Sequence, residues 1–463
     1  MRRKPLLIVM TVILAFSMLL AACGGNDKAN EPANTGNTNN SSNSNTPPAD
    51  QPADEPIVEP VKDLSGTLEL WQFDPGFFVE QKAAFEAKYP KVTVNLTSMD
   101  WGEMHDQLFA TIAAGTGGPD LAFIEGGKWK MFNNTDGLED LLQQPYDVGQ
   151  FRDEFTDANW NRWVSVDGKK MLGMPWDTPP AMTFYRADIL EENGFPSDPA
   201  ELMAYMADAD NVLNMIRTLK AKGIYLFEWR DSVIGLMNSG ISFFDKDLNY
   251  RRNTDNFVKS FDIAKTITQE ELYIGQGIWG EEGQQSIKNG KLISIFLGSW
   301  GISQTRNWGG PEQEGKWRVT GLPFGAYGGS GGSTVSILSQ SKNKELAWEF
   351  IKFALASEEG QKIFTEKGIM PGWKPAWDLP EFKDKKEPYL GGENINLVAA
   401  TLLDKVPPSF ETPLDDKANE IWSAGINELL DKNLDSKAQL QKIEDDIMAA
   451  VSVERQKLLD ARK

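Results

Sequence analysis

Between residues 67 and 124 the chain switches hydrophobic period four times, and that alternation limits its fold more than any other feature. Thr67–Phe73 (TLELWQF) reads as a strand. Phe78–Tyr89 has helical spacing, with Phe78, Phe85 and Tyr89 on one face. Val92–Thr97 (VTVNLT) alternates at period two, Trp101–Ala114 is helical again, and Asp120–Ile124 (DLAFI) is a short buried-strand run after the turn at 115–119. The order β-α-β-α-β predicts a largely parallel sheet covered by helices. Ligands of such sheets sit beyond the carboxyl ends of the strands, here near Phe73–Asp74, Ser98–Trp101 and Glu125–Trp129.

A second α/β set is predicted downstream. It holds strands at Met182–Tyr185, Leu292–Leu297, Trp317–Gly321 and Thr334–Leu338, with helices at Pro199–Lys222, Thr254–Gln269, Glu281–Asn289, Lys344–Leu355 and Glu358–Lys367. Two further helices, about Ala418–Leu430 and Ser436–Arg462, close the chain. At 463 residues this exceeds one hydrophobic core, so two or three domains are expected.

The N-terminus has a different character. Arg2, Arg3 and Lys4 precede the apolar run Leu6–Leu20, which is short for a membrane span and suits the hydrophobic region of a signal peptide. Leu20-Ala21-Ala22-Cys23-Gly24 places small residues before the chain's one cysteine and resembles a bacterial lipobox. That resemblance implies removal of residues 1–22, diacylation of Cys23 and stable anchoring, since two acyl chains suffice where one is marginal. From Gly24 to about Val61 the chain is Asn, Ser, Thr, Pro, Ala and Asp with almost nothing to bury, so residues 23–63 are expected to be a disordered tether. About 38 such residues give a reach of roughly 35 Å.

Charge and rare residues exclude whole classes. A net charge of −20 repels phosphate backbones and anionic headgroups, against nucleic-acid binding or a polybasic membrane role. One histidine (His105) and one cysteine leave no partners for a His/Cys zinc site, a CxxC pair, a disulfide framework or a Cys–His protease. A Ser-His-Asp triad would have to use His105, which is read as a surface residue of its helix. The glycine-rich stretch 325–332 is followed by a strand and no lysine, so it reads as a hinge loop rather than a phosphate cradle. Asp245, Asp247 and Asn249 mimic the start of a calcium loop, but Tyr250 and Asn256 replace its Gly and Glu, which favours a hairpin turn.

Four stretches carry a family resemblance. GTLELWQF…FEAKYPKVTVNL…LFATIAAGTGGPDLAFIEGG is similar to the opening of the carbohydrate-type extracellular solute-binding proteins (family 1) that serve ATP-binding-cassette importers. KKMLGMPWDTPPAMTFYRADIL (Lys169–Leu190) resembles their first interdomain crossing, and KLISIFLGSWGISQ (Lys291–Gln304) a strand–helix element of their second lobe. GGSTVSILSQSKNKELAWEFIKFALASEEGQKIFTEKGIMP (Gly331–Pro371) is the most specific match. The resemblance implies a two-lobed, periplasmic-binding-protein-like α/β fold with several crossings. Lobe one would be 64–178 plus 331–368, and lobe two 179–330 plus 369–463. It further implies a monomeric, lipid-anchored binding protein on the outer face of a bacterial membrane, with a sugar as ligand and permease subunits as partners. No cofactor, metal or catalytic residue is implied. A secreted glycosidase with paired carboxylates is the rival from another class, and a glycan-binding adhesin or sensor is a third.

Fifteen tryptophans suit a sugar site, because a pyranose presents an apolar C–H face to an aromatic plane while its hydroxyls seek carboxylates, amides and Arg. By family position Trp300, just past its strand, is the leading platform. Trp176 and Asp177 lie in the first crossing, Glu125 and Lys128 follow the third strand, and Trp71 and Asp74 end the first. Trp101, Trp229, Trp279 and Trp373 complete the candidates. Trp160, Trp163, Trp348, Trp377 and Trp422 read as packing residues. Where the maltose-type branch has a stacking tryptophan and an Asp-Arg pair, this chain has Ile124, Gly127 and Lys128, so maltodextrin specificity does not carry over.

Overall fold

Among the described residues eight strands build two separate sheets: β1 (Ser65–Gln72), β2 (Lys91–Ser98), β3 (Leu121–Glu125), β4 (Met174–Pro175), β5 (Met182–Arg186), β6 (Ser294–Leu297), β7 (Trp317–Thr320) and β8 (Ser333–Ile337). The computed structural model describes residues 62–463 except 178, 368 and 463; the expected signal peptide, Cys23 and most of the tether lie outside the described residues. The first sheet has the order β2-β1-β3-β8-β4. β1 pairs in parallel with β2 and β3 (Leu68 opposite Val94, Leu70 opposite Leu121), as the β-α-β-α-β pattern predicts. β8 then enters antiparallel to β3, with Phe123 opposite Val335, and β4 closes the far edge. The second sheet, β6-β5-β7, is antiparallel throughout. Periodicity could place these short strands but not their direction, which depends on the long helical excursions between them.

Local chemistry fixes the helix ends. Asp100 accepts from the Gly102 and Glu103 amides and starts helix Trp101–Ala114, which stops at Gly115 in the left-handed conformation (φ 69°). The expected helix over 199–222 is two helices, Pro199–Met206 and Ala209–Lys220, because Asp208 caps a new N-terminus by accepting from Asp210 and Asn211. Asp245 does close a turn, accepting from the Asp247 and Asn249 amides. Among the described residues no His/Cys/Asp/Glu group could hold a metal ion, and no helix is long and apolar enough to cross a membrane.

Three apolar cores result. One gathers Leu68, Leu70, Phe85, Phe123 and Ile337 beneath the first sheet. It also takes in Trp373 and Ala376, beyond the boundary expected at residue 368. Another lies among the helices after β5 and the C-terminal pair Asp415–Lys432 and Ser436–Asp460. These two close tightly at Gly425, where a Cβ would fall 2.4 Å from the Ile443 side chain. The last sits under the second sheet, around Phe184, Ile295 and Val319.

The chain passes between the lobes at residues 176–177 and 179–181, at 321–332 and at 369–382, and these crossings lie side by side. Ala181 N donates to Gly328 O (2.7 Å), Ser330 N to Pro179 O (3.0 Å) and Gly372 N to Trp176 O (3.3 Å). Two lobes therefore share a short hydrogen-bonded waist. A cleft opens beside it.

Candidate ligand-binding cleft

The cleft has a volume of about 890 Å³. Lobe one contributes Gly127, Lys130, Asn159 and Arg162; the crossings contribute Asp177, Pro179, Gly329, Gly331 and Gly332; the facing wall carries Trp229, Asn238, Phe243, Arg252, Glu411, Asp415 and Trp422.

Arg162 is the hub of its floor. It ends the short helix Asp157–Arg162, started by Thr156 accepting from the Asn159 amide. Its Nη1 donates to the Gly331 carbonyl, and its Nη2 to Glu411 Oε1 at 3.2 Å. Only about a fifth of either side chain is exposed (19% and 21%). Asp177 and Glu125 also feel the Arg162 charge. Asp177 is buried and accepts from the Ser333 amide at 2.6 Å. Burial pushes its carboxyl up to about 7, against the pull of that amide and of Arg162. Burial likewise pushes Glu411 up to about 7 and raises Glu125. One guanidinium thus serves three carboxyls in poor contact with water. A carboxyl that keeps its proton both donates and accepts, which matches the dual capacity of a hydroxyl.

Several sequence-predicted residues do converge, around Gly331 and Gly332. A Cβ at Gly331 (φ +79°) would lie 3.2 Å from Trp300 Nε1 and 3.9 Å from Glu125 Oε1; one at Gly332 (φ +102°) would lie 3.2 Å from Arg162 Nη1. Both positions need glycine for conformation and for space. Trp300 Nε1 donates to Ser330 O at 2.9 Å. Trp101 stands beside Glu125, with Lys128 Nζ 4.8 Å above its ring. Trp229 lines the cleft itself. Trp279 stacks on Trp300, centroids 6.2 Å apart and planes at 25°.

Others are placed elsewhere. Trp176, a predicted ligand residue, is buried against Phe77, Phe123 and Phe364 with centroids 4.7–5.0 Å apart. Trp373 is buried too, and its Nε1 donates to Glu154 at 2.6 Å. Both belong to the lobe-one core, because their positions in the crossings turn the rings inward. Trp71 packs half-buried against that core, and exposed Asp74 accepts from the Gly76 amide at 2.7 Å.

His105 corrects another expectation. It is fully buried rather than on the surface. Its Nδ1 lies 2.6 Å from Trp101 O, and its Nε2 accepts from the Glu125 amide at 3.0 Å. That second bond needs an unprotonated Nε2, so the ring is neutral with its proton on Nδ1, and burial lowers its pKa. The single histidine therefore ties the backbones of two candidate residues together.

The sequence reading missed Arg162, Glu411, Asp415 and Arg252, and took Trp422 for packing alone. Arg252 lies 3.6 Å over the Phe243 ring and 5.2 Å from Trp422 and donates to Ile241 O; burial brings it down to about 10. A half-buried arginine lying against two aromatic rings is a wall element that only the tertiary fold assembles. The short run DANWNR and the proline-rich 406–413 carry no periodic signal that would have flagged Arg162 or Glu411.

Comparison with known proteins settles the family. The profile of the bacterial extracellular solute-binding proteins matches residues 80–388. The chain belongs to that family. As a solute-binding protein it is a transport component that binds and delivers rather than an enzyme. It is similar to the arabinooligosaccharide-binding protein of Bacillus subtilis strain 168, 28% identical over 370 residues, covering 75% of this chain and 83% of that protein. The lactose-binding protein of Rhizobium radiobacter is 25% identical over 366 residues, covering 74% and 83%. Among solved structures, the sugar-binding protein MalE of Xanthomonas citri aligns with a TM-score of 0.68 at 20% identity, covering 85% of this chain and 99% of that one. A transporter-associated binding protein of B. animalis subsp. lactis, solved with β-1,6-galactobiose, aligns at 0.65 and 21% identity, covering 85% and 99%. The solute-binding protein thus has the α/β periplasmic-binding fold with two sheets.

Proposed function

We propose that this solute-binding protein captures an oligosaccharide in the cleft and presents it to the membrane subunits of an ATP-binding-cassette importer. The cleft itself carries the reading. At about 890 Å³ it stands near the top of the range for small-molecule sites, roughly 300–1,000 Å³, which suits several sugar rings rather than one. Its walls combine aromatic planes (Trp229, Phe243, Trp422) with hydroxyl-seeking groups (Arg162, Asp177, Asn238, Glu411). The named relatives that bind arabinooligosaccharide and lactose support the ligand class. In this reading the lobes, broadly 64–178 plus 331–368 and the remainder, close about the crossings around the ligand. Only the closed form then docks productively. The ring planes hold C–H faces, Arg162 and its carboxyls orient hydroxyls, and no bond is made or broken.

The anchor belongs to the same proposal: acylated Cys23 and a tether of about 38 residues, with a reach of roughly 35 Å, keep the body at the membrane. Replacing Cys23 with Ser is expected to release folded protein into the medium; full retention in the membrane fraction would refute the anchor. Titration calorimetry with arabino-, galacto- and malto-oligosaccharides tests the ligand class, and mass spectrometry of recovered ligand tests turnover. Binding with intact recovery is expected. Shortened products, abolished by Asp177→Asn, would favour the glycosidase instead.

A further inference from the structure

Three tryptophans are exposed among the described residues: Trp101, Trp229 and Trp279, at 43%, 48% and 64%. Large apolar rings held in water are costly and mark contact sites when they adjoin one another. Trp229 and Trp279 are bound into one rigid unit. Ile274 N donates to Phe227 O (3.0 Å), Gly275 N to Glu228 O (2.8 Å) and Ile278 N to Glu228 Oε2 (2.9 Å). Gly277 has no side chain between them, and a Cβ there would sit 3.2 Å from the Trp229 ring. The turn is shut by Gly280 N to Gly277 O at 3.0 Å, and helix Glu281–Lys288 follows at once.

Trp279 is braced from behind. Trp300 stacks on one side at 6.2 Å between centroids, and Trp308 meets it edge-on at 5.3 Å and 89°. No sugar ring fits between two indoles so close, so Trp279 offers its open face alone. Trp300 in turn is fastened to Ser330, between the cleft-lining Gly329 and Gly331. A braced aromatic surface therefore runs outward from the cleft wall at Trp229 to the rim at Trp279.

We infer that Trp229 and Trp279 form a rim platform that stacks on sugar rings projecting out of the cleft, so that the preferred ligand is an oligosaccharide longer than the cavity encloses. This rests on the proposed sugar-binding function and extends it to chain length. A protein partner would need some 800 Å² of contact on this side with an apolar centre. Here two flat rings stand in polar loops, Trp229 between Glu228 and Arg230-Asp231 and Trp279 among Gly277, Gly280 and Glu281, and none of the other exposed large apolar residues belongs to those loops. Pre-set rings lose little freedom on binding, which favours weak, repeated C–H contacts.

The test is calorimetric titration of wild type, Trp279→Ala and Trp279→Phe with neutral arabino- and β-galacto-oligosaccharides from dimers to octamers, thermal melts confirming the fold of each. Wild-type affinity is expected to rise with length. Trp279→Ala should lose roughly tenfold on the longest ligands, the effect of truncating an interface aromatic, and less than about twofold on the dimer. Trp279→Phe should recover part of the loss. An equal loss at every length, or none, overturns the platform. Unchanged affinities with impaired uptake in cells would make this surface a docking site for the membrane subunits, and the platform would fall. Failure of every oligosaccharide to bind wild type would instead overturn the sugar-binding reading, and the platform with it.

Discussion

Replacing Arg162 with Met should destabilise the protein in a strongly pH-dependent way. The substitution keeps the aliphatic stem and removes the one guanidinium that Asp177, Glu125 and Glu411 share. Breaking a buried ion pair from one side costs about 3–5 kcal/mol, because the abandoned charge stays buried. Two lost hydrogen bonds, to Gly331 O and Glu411, account for about 1–3 kcal/mol of that sum. The remainder depends on ionisation. Asp177 and Glu411 sit at about 7 in the folded protein against ordinary values of 3.8 and 4.5. As pH falls through 7 the folded chain takes up protons that the unfolded chain does not, so burial of these groups is penalised above neutrality and relieved below it. Without Arg162 both values climb further, and the penalty at alkaline pH grows. Urea unfolding followed by tryptophan fluorescence should show a loss of about 3–5 kcal/mol at pH 8, shrinking to about 1–3 kcal/mol at pH 5. Glu411→Gln, which removes one buried acid, should cost little at pH 8 and flatten the wild-type pH dependence. An equal Arg162→Met loss at both pH values would show that Arg162 acts by packing, and would refute the charge argument.

Two further outcomes follow from the same geometry. His105→Gln preserves a donor to Trp101 and an acceptor for the Glu125 amide but cannot be protonated. Because the folded pKa of His105 is lowered, wild type should lose stability relative to this variant as pH falls below about 6.5, by up to ~1.4 kcal/mol per pH unit; a constant difference in urea titrations at several pH values would refute it. Trp300→Phe loses the bond to Ser330 O and should cost about 1 kcal/mol in a thermal or urea melt, whereas Trp300→Ala should also free Trp279 and change its fluorescence emission.

How much of this could be read beforehand depended on whether the signal was local. Helix Trp101–Ala114 was legible at both ends because Asp100 and Gly115 are its neighbours in sequence. The break at Asp208 was legible in principle, since a lone capping residue inside a helical run is a start signal, but the apolar spacing masked it. The antiparallel second sheet was not legible, as its strands are brought together from positions more than a hundred residues apart. The candidate site divides the same way. Glu125, Asp177 and Trp229 were picked out as candidates from strand ends, crossings and residue type. Arg162 and Glu411 meet across 249 positions and have no local mark. Burial also decided what residue type could not: Trp176 and Trp279 are chemically identical, and only the fold puts one in a core and the other in water.

The late entry of β8 into the first sheet bears on the order in which the molecule can assemble. Until residue 337 is available, β3 lacks its partner on that side, and the apolar segment LAFIE presents an open strand edge. The core beneath it also lacks Phe350, Ile351 and Phe364 from the following helices. Lobe one is therefore completed by segments that follow the inserted lobe in sequence, and its contacts span almost the whole body of the chain. Such wide sequence separation slows folding.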